Sequence, residues 1–346
     1  MTVLQHGSAL PSSDLRMARR RTAVIVAGLV LLALLSMLSL FIGSGSISPA
    51  QVVEALRHDG GTSVDLLVRD YRLPRTLLAI VVGVALGTAG SVIQAITRNP
   101  LAEPGILGVN AGAYTTVVFA TALLGSALTI THVLFALAGA LVASIVVYGI
   151  GTSGVAGGTA TKLVLTGTAL GAVLTGISFA VTLIQPAVFD KMRFWSAGSL
   201  QNRQFDTLWV VLPFIAVGLI IALVLPRSLN AMSLGEDVAV ALGAHPARTK
   251  LLGVLAVALL CGAATAAAGP IAFVGLMVPH ALRSIVGPDQ RWIVPLSVVA
   301  SPVLLLSADI LGRVVVSSEL PVGVVTAFIG APVLIALTRR RDARGL

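Results

Sequence analysis

The chain has 346 residues, 56% of them hydrophobic and 11% charged, with a mean hydropathy of +0.99. Ordinary soluble domains carry about a quarter charged residues, so this composition excludes a soluble domain and requires helices that satisfy their own backbone in lipid. The net charge of +9 does not signal nucleic acid, because Lys and Arg are spread between apolar runs and no soluble basic domain is present to use them.

A helix needs about 20 apolar residues to cross a hydrocarbon core. Ten stretches reach or approach that length: 23–42, 76–95, 106–124, 131–150, 161–184, 208–225, 249–267, 270–286, 293–313 and 321–338. The first follows the basic run "RMARRR" but is read as a span, since its apolar run exceeds the roughly 7 to 15 residues of a signal-peptide core. The division expected is a cytoplasmic tail over 1–22, one transmembrane domain over 23–338 and a second cytoplasmic tail over 339–346. With the N-terminus inside and ten spans, 15 of the 23 Lys and Arg residues fall on the cytoplasmic face, which is the positive-inside bias.

At the mouth of the second span, "RDYRLPRT" holds Arg69, Arg72 and Arg75 on the outer face, against that bias. Arginine there offers a planar fork to a partner's carboxylates or snorkels to lipid phosphates. After this span comes "RNPLAEPGILGVNAGA", where Pro100 and Pro104 forbid a regular helix. Backbone freed in this way is tolerated at membrane depth only where it is buried in protein or lines a cavity. "VPHALRSIVGP" is read as a corresponding break in the second half, with an inverted repeat of spans as the idea behind it. Gly83, Gly87 and Gly90, and Gly167, Gly171 and Gly176, are expected to allow close helix packing or to leave room for a passage.

The longest internal connection, "LPRSLNAMSLGEDVAVALGAHPARTK", reads as short amphipathic helices. Ser233 and Glu236 form its expected cap, Val238, Ala241 and Leu242 its apolar face, and Gly243 with Pro246 its stop. It suits the docking of a soluble partner or a position flat on the membrane. Asp309 is the one carboxylate read within a span, four residues before Arg313 and so on the same helix face. A single paired carboxylate gives little to an ion pathway.

Several chemistries are absent from the sequence. There is no G-x-x-x-x-G-K-[ST] and no H-E-x-x-H; Cys261 is alone within a span, and His280 is read as a packing or capping group.

Taken together, "RLPRTLLAIVVGVALGTAGSVIQAITRNPLAEPGILGVNAGA", "FWSAGSL", "SLGEDVAVALGAHPART", "GPIAFVGLMVPHALRSIVGPDQRWIVP", "SADILGR" and "ELPVGVVTAFIGAPVLIAL" resemble FecCD-type permeases of ABC importers for iron-siderophores, haem and cobalamin. The resemblance implies an all-α, polytopic bundle of about ten spans, of the type II importer class, working as a permease dimer in the cytoplasmic membrane with both termini inside. It implies as partners a second permease subunit, identical or homologous, two cytoplasmic ABC ATPases that bind ATP and Mg, and an external substrate-binding protein. No cofactor and no enzymatic site are expected in this chain. By similarity, Arg72, Arg75 and Arg313 meet acidic residues of the binding protein. Asn99, Leu101, Ala160 and Thr161 line the cytoplasmic gate, although Ala160 lacks the hydroxyl its position carries in some relatives. Gly235, Glu236, Asp237, Ala241, Leu242, Gly243, His245 and Pro246, within a coupling segment over about 230–248, face the ATPase. The cargo expected is a bulky metal chelate, foremost an iron-siderophore. The alternative is a secondary transporter driven by an ion gradient.

Overall fold

Proline sets where many of the helices begin. Its fixed φ suits the first helical turn, where its missing N–H costs nothing, and Pro49, Pro74, Pro186, Pro226 and Pro246 each occupy that place. The structure, a computed structural model, describes residues 12–43, 47–58, 60–125, 130–153, 160–316 and 318–342, with side chains omitted at 12–16, 160 and 337–342.

The described residues are helical throughout, without strands: α1 (Ser12–Phe41), α2 (Pro49–Arg57), α3 (Ser63–Leu66), α4 (Leu73–Thr97), α5 (Val109–Leu124), α6 (Ile130–Thr152), α7 (Ala160–Ile184), α8 (Pro186–Ser196), α9 (Phe205–Val224), α10 (Pro226–Ser233), α11 (Glu236–Ala241), α12 (Pro246–Ala268), α13 (Val274–Val286), α14 (Gln290–Val315) and α15 (Val322–Asp342). A π turn at Leu67–Arg72 leads into α4, and a 3-10 turn at Pro104–Leu107 leads into α5. Each of the ten expected spans corresponds to one helix. Seven are long and apolar enough to cross a membrane, while Val109–Leu124, Val274–Val286 and Val322–Ala336 are shorter. α1 begins at Ser12 and α15 continues to Asp342, so both helices run on into the stretches read as tails.

Helices α4, α12 and α14 form the centre, with α5, α6, α9 and α13 around them, and α1 lies against α14. Lipid offers no hydrophobic drive between helices, so close contact must come from small side chains and shape. Any Cβ on Gly83, Gly87 or Gly90 of α4 would collide with Pro302 and Ser301 of α14 or with the Gly275 backbone. Gly167 similarly admits the Ile106 carbonyl against α7, whereas Gly176 faces open space.

Candidate functional site

One end of the bundle gathers charge in one place. Arg75 donates from Nη2 to Asp309 Oδ1 at 2.8 Å and from Nη1 to Glu319 Oε2 at 2.7 Å. Arg313 also pairs with Asp309, as the spacing of four predicts, and donates from Nη1 to the carbonyls of Ser39 and Ile42 at 2.8 and 3.0 Å. Arg72 reaches the carbonyls of Leu40 and Phe41 at 2.9 and 3.2 Å. Two guanidinium groups thus cover the carbonyls that end α1, where positive charge is favourable. The three arginines line a cavity of about 380 Å³ with Tyr71, Gln201, Asn202 and Glu319. Arg72, Arg313 and Asp309 are buried, so much of the arginines' bonding capacity is directed inward. Sequence reading missed Glu319 and the Arg75–Asp309 pair, whose members lie 234 residues apart.

At the far end of α4 the backbone stops being helical. Arg98 ends α4 in the left-handed region at φ 50°, and Asn99 Oδ1 accepts from the Leu101 N–H at 2.9 Å in a short turn. The chain then runs back along α4 until Pro104 packs by Gly275, itself beside the Leu86 carbonyl near the middle of α4. Only there does α5 begin. At 1.5 Å per residue its 16 residues span about 24 Å, and the 13 of α13 about 20 Å, both short of a full crossing. Both therefore start within the membrane.

Glu103 joins the two starts, its Oε1 accepting from the Phe273 N–H at 3.3 Å. A carboxylate there complements the positive N-terminal end of α13. Asp309 is therefore not the one carboxylate at depth; Glu103 was overlooked because it sits in a loop rather than a span. The second break also differs from its expected place. It occupies 269–273, with Gly269 at φ 77° and Phe273 at φ 71°, while "VPHALRS" is helical within α13. Pro279 inside α13 did not end the helix.

Beside the first break lies a cavity of about 520 Å³, lined by Glu103, Asn110, Tyr114, Thr168, Thr175 and Ser196. Asn110 is fixed by the Thr265 hydroxyl at 2.8 Å. Of the expected gate residues, Asn99, Leu101 and Thr161 are exposed, on surfaces that the chain's own bundle does not cover. The Ala160 side chain lies outside the described residues.

At the other end, α10 and α11 form a short hairpin clipped on both sides. Asn230 donates to Asp289 Oδ1 at 2.6 Å and accepts from the Gln290 N–H at 2.9 Å, and Lys250 meets Glu236 at 2.7 Å. Gly235, at φ 117°, precedes α11 in place of the expected Ser233 cap; the Ser233 hydroxyl instead donates to the Asn230 carbonyl. Gly243, at φ 80°, ends the turn before Pro246 opens α12. Glu236, Asp237, Ala241, Leu242 and His245 are exposed, together with Leu234, Val238 and Val240. An apolar face so uncovered suits contact with another surface.

Among the described residues, no group of three His, Cys, Asp or Glu is arranged to hold a metal. Apolar helices broken at mid-depth, a cavity at the break and a clipped hairpin at one end are the architecture of a multi-pass membrane transport permease. The FecCD transport family profile matches residues 31–340. The ferric enterobactin transport system permease protein FepD of Escherichia coli (strain K12) is 49% identical over 93% of this chain and 97% of its own. The iron(3+)-hydroxamate import system permease protein FhuB of Bacillus subtilis (strain 168) is 42% identical over 93% of this chain and 84% of its own. A solved chain described as a metal-chelate type ABC transporter, in an inward-facing conformation, superposes with a TM-score of 0.78 at 27% identity, covering 92% of this chain and 99% of that one. The chain belongs to the FecCD transport family, the permeases of ABC importers.

Proposed function

We propose that this permease moves a ferric siderophore inward across the cytoplasmic membrane, powered by ATP hydrolysed in a separate subunit. The observation that carries the cargo is the 49% identity, over nearly the whole length of both chains, to a ferric enterobactin permease. Haem and cobalamin remain neighbouring cargos, since permeases named for them are 35% and 37% identical.

Two permease subunits enclose one passage, and α7, with Gly176 facing open space, supplies part of its wall. Both termini face the cytoplasm, which puts the α10–α11 hairpin on the side where ATP is available. Two ATPases seat against residues 235–246, with the exposed Val238 and Leu242 as apolar anchors. Because the hairpin is clipped to α12 and α14, movement of the ATPases reaches the helices that pack on α4. Asn99, Leu101, Ala160 and Thr161 close the inner end. ATP and Mg stay with the ATPases, and this chain holds no cofactor.

On the outer face, a binding protein presents carboxylates to Arg72, Arg75 and Arg313. These arginines already serve Asp309, Glu319 and the end of α1. An incoming acid therefore competes with the internal partners, and docking can loosen the joint between α1, α4 and α14. Such a bistable contact is what alternating access requires.

The test is ATP-driven uptake of ferric enterobactin by proteoliposomes holding the permease, its ATPase and its binding protein. Reversing Arg72 and Arg313 together to Glu should stop uptake. Unchanged uptake would remove the docking role.

A further inference from the structure

α4 carries a second arginine site at its far end. Its 25 residues place Arg98 about 37 Å from the outer arginine cluster. There a cavity of about 290 Å³ lies between the end of α4, α10, α13 and the start of α14, lined by Gln94, Arg98, Asn230, Arg283 and Gln290 among others.

Its walls are prepared for a ligand. Gln94 is buried and fixed by Nε2 bonds to the Gly275 and Leu276 carbonyls at 3.3 and 3.0 Å, and its Oε1 accepts from Arg283 at 3.4 Å, which aims that guanidinium. Arg98 is exposed and sits in a left-handed turn, where glycine is the cheaper residue. Gln290 is 6% exposed, yet its Oε1 has no hydrogen-bond partner among the described residues. A buried acceptor left unmet costs about 1 to 3 kcal/mol, so a donor from outside is favoured. Nearby Asp289 is engaged by Asn230 and by the Arg291 N–H at 2.9 Å.

Two guanidinium groups call for an anion, and the orphaned acceptor calls for a hydroxyl on the same ligand. We propose that this cavity binds a phosphate group bearing or adjoining a free hydroxyl, as in a phosphatidylglycerol headgroup or in hydrogen phosphate. The phosphate oxygens meet Arg98 and Arg283, and the hydroxyl donates to Gln290. The site lies beside α10, so its occupant stiffens the hairpin against α4 and α14. It is independent of which chelate the permease carries.

The full chain in nanodiscs, probed with spin-labelled phosphatidylglycerol, phosphatidylmethanol and phosphatidylcholine, tests this. Phosphatidylglycerol should be preferred over phosphatidylcholine, with Arg98→Gln and Arg283→Gln each weakening that preference about fivefold. Gln290→Leu should weaken phosphatidylglycerol but spare phosphatidylmethanol, which has the phosphate diester and no free hydroxyl. Preference that persists in excess inorganic phosphate assigns the site to the lipid; preference abolished by it assigns the site to free phosphate. Either supports the proposal. Arg98 is exposed, so its variant tests the site even where the Gln290 variant does not fold. Equal binding of all lipids with no phosphate effect, or a preference unchanged by the arginine variants, overturns it. So does loss of the ATPase subunit from the variants with lipid and phosphate binding unaltered, which would make the cavity a protein-docking pocket.

Discussion

Asp309 shows what single residues do here. It is buried and accepts from both Arg75 and Arg313. Removing one partner of a buried ion pair costs on the order of 3 to 5 kcal/mol, since a charge is left uncompensated. Asp309→Asn should therefore lower the thermal midpoint of the detergent-purified permease markedly, read by intrinsic fluorescence. Glu236→Gln, at a half-exposed pair, should change it little, because such pairs contribute about 0 to 1 kcal/mol. Glu103 separates two roles. Glu103→Gln keeps an acceptor for the Phe273 N–H and should retain ATP-driven uptake, whereas Glu103→Leu should destabilise the fold by about 1 to 3 kcal/mol. Loss of uptake in a well-folded Gln variant would instead point to a titrating charge. Part of this was legible in the sequence: Asp309 and Arg313 pair because four residues return to the same helix face. Arg75 was not, because no periodicity reports a contact across 234 residues.

Helices were legible where length alone decides. Each of the ten expected spans met one helix, seven of them long and apolar enough to cross, because a run of about 20 apolar residues has few other uses. Their breaks were harder. Pro100 and Pro104 marked the first correctly, since they fall where no intrahelical bonding could continue. Pro279 misled, because a membrane helix tolerates proline when neighbours or local adjustment meet the freed carbonyl. The brevity of α5 and α13 was the stronger clue, and it would have put Glu103 at depth from the outset. Glycines give a matched test at this scale. Gly90→Ala should sharply lower the folded yield on size exclusion, as its Cβ would meet the Gly275 backbone, while Gly176→Ala should not. In the hairpin, the exposed Val238 and Leu242 should be dispensable for folding. Changing both to Glu should leave a folded permease that no longer retains its ATPase on co-purification.

At the scale of the whole molecule, the arginine cavity, the break before α5 and the α10–α11 hairpin are three separate places in the bundle, and the proposed function gives each a different task. Composition revealed the membrane and the motifs revealed the family. The cargo was not legible in the sequence, because walls of small and apolar side chains suit any bulky chelate. The central claim is that fuel comes from outside this chain. Its most direct test is accumulation of radiolabelled ferric enterobactin in proteoliposomes that contain permease, ATPase and binding protein, with ATP available to the ATPase and with no ion gradient. Accumulation that requires ATP and all of these components is the expected result; uptake by the permease alone, or uptake that follows an imposed ion gradient without ATP, would contradict it.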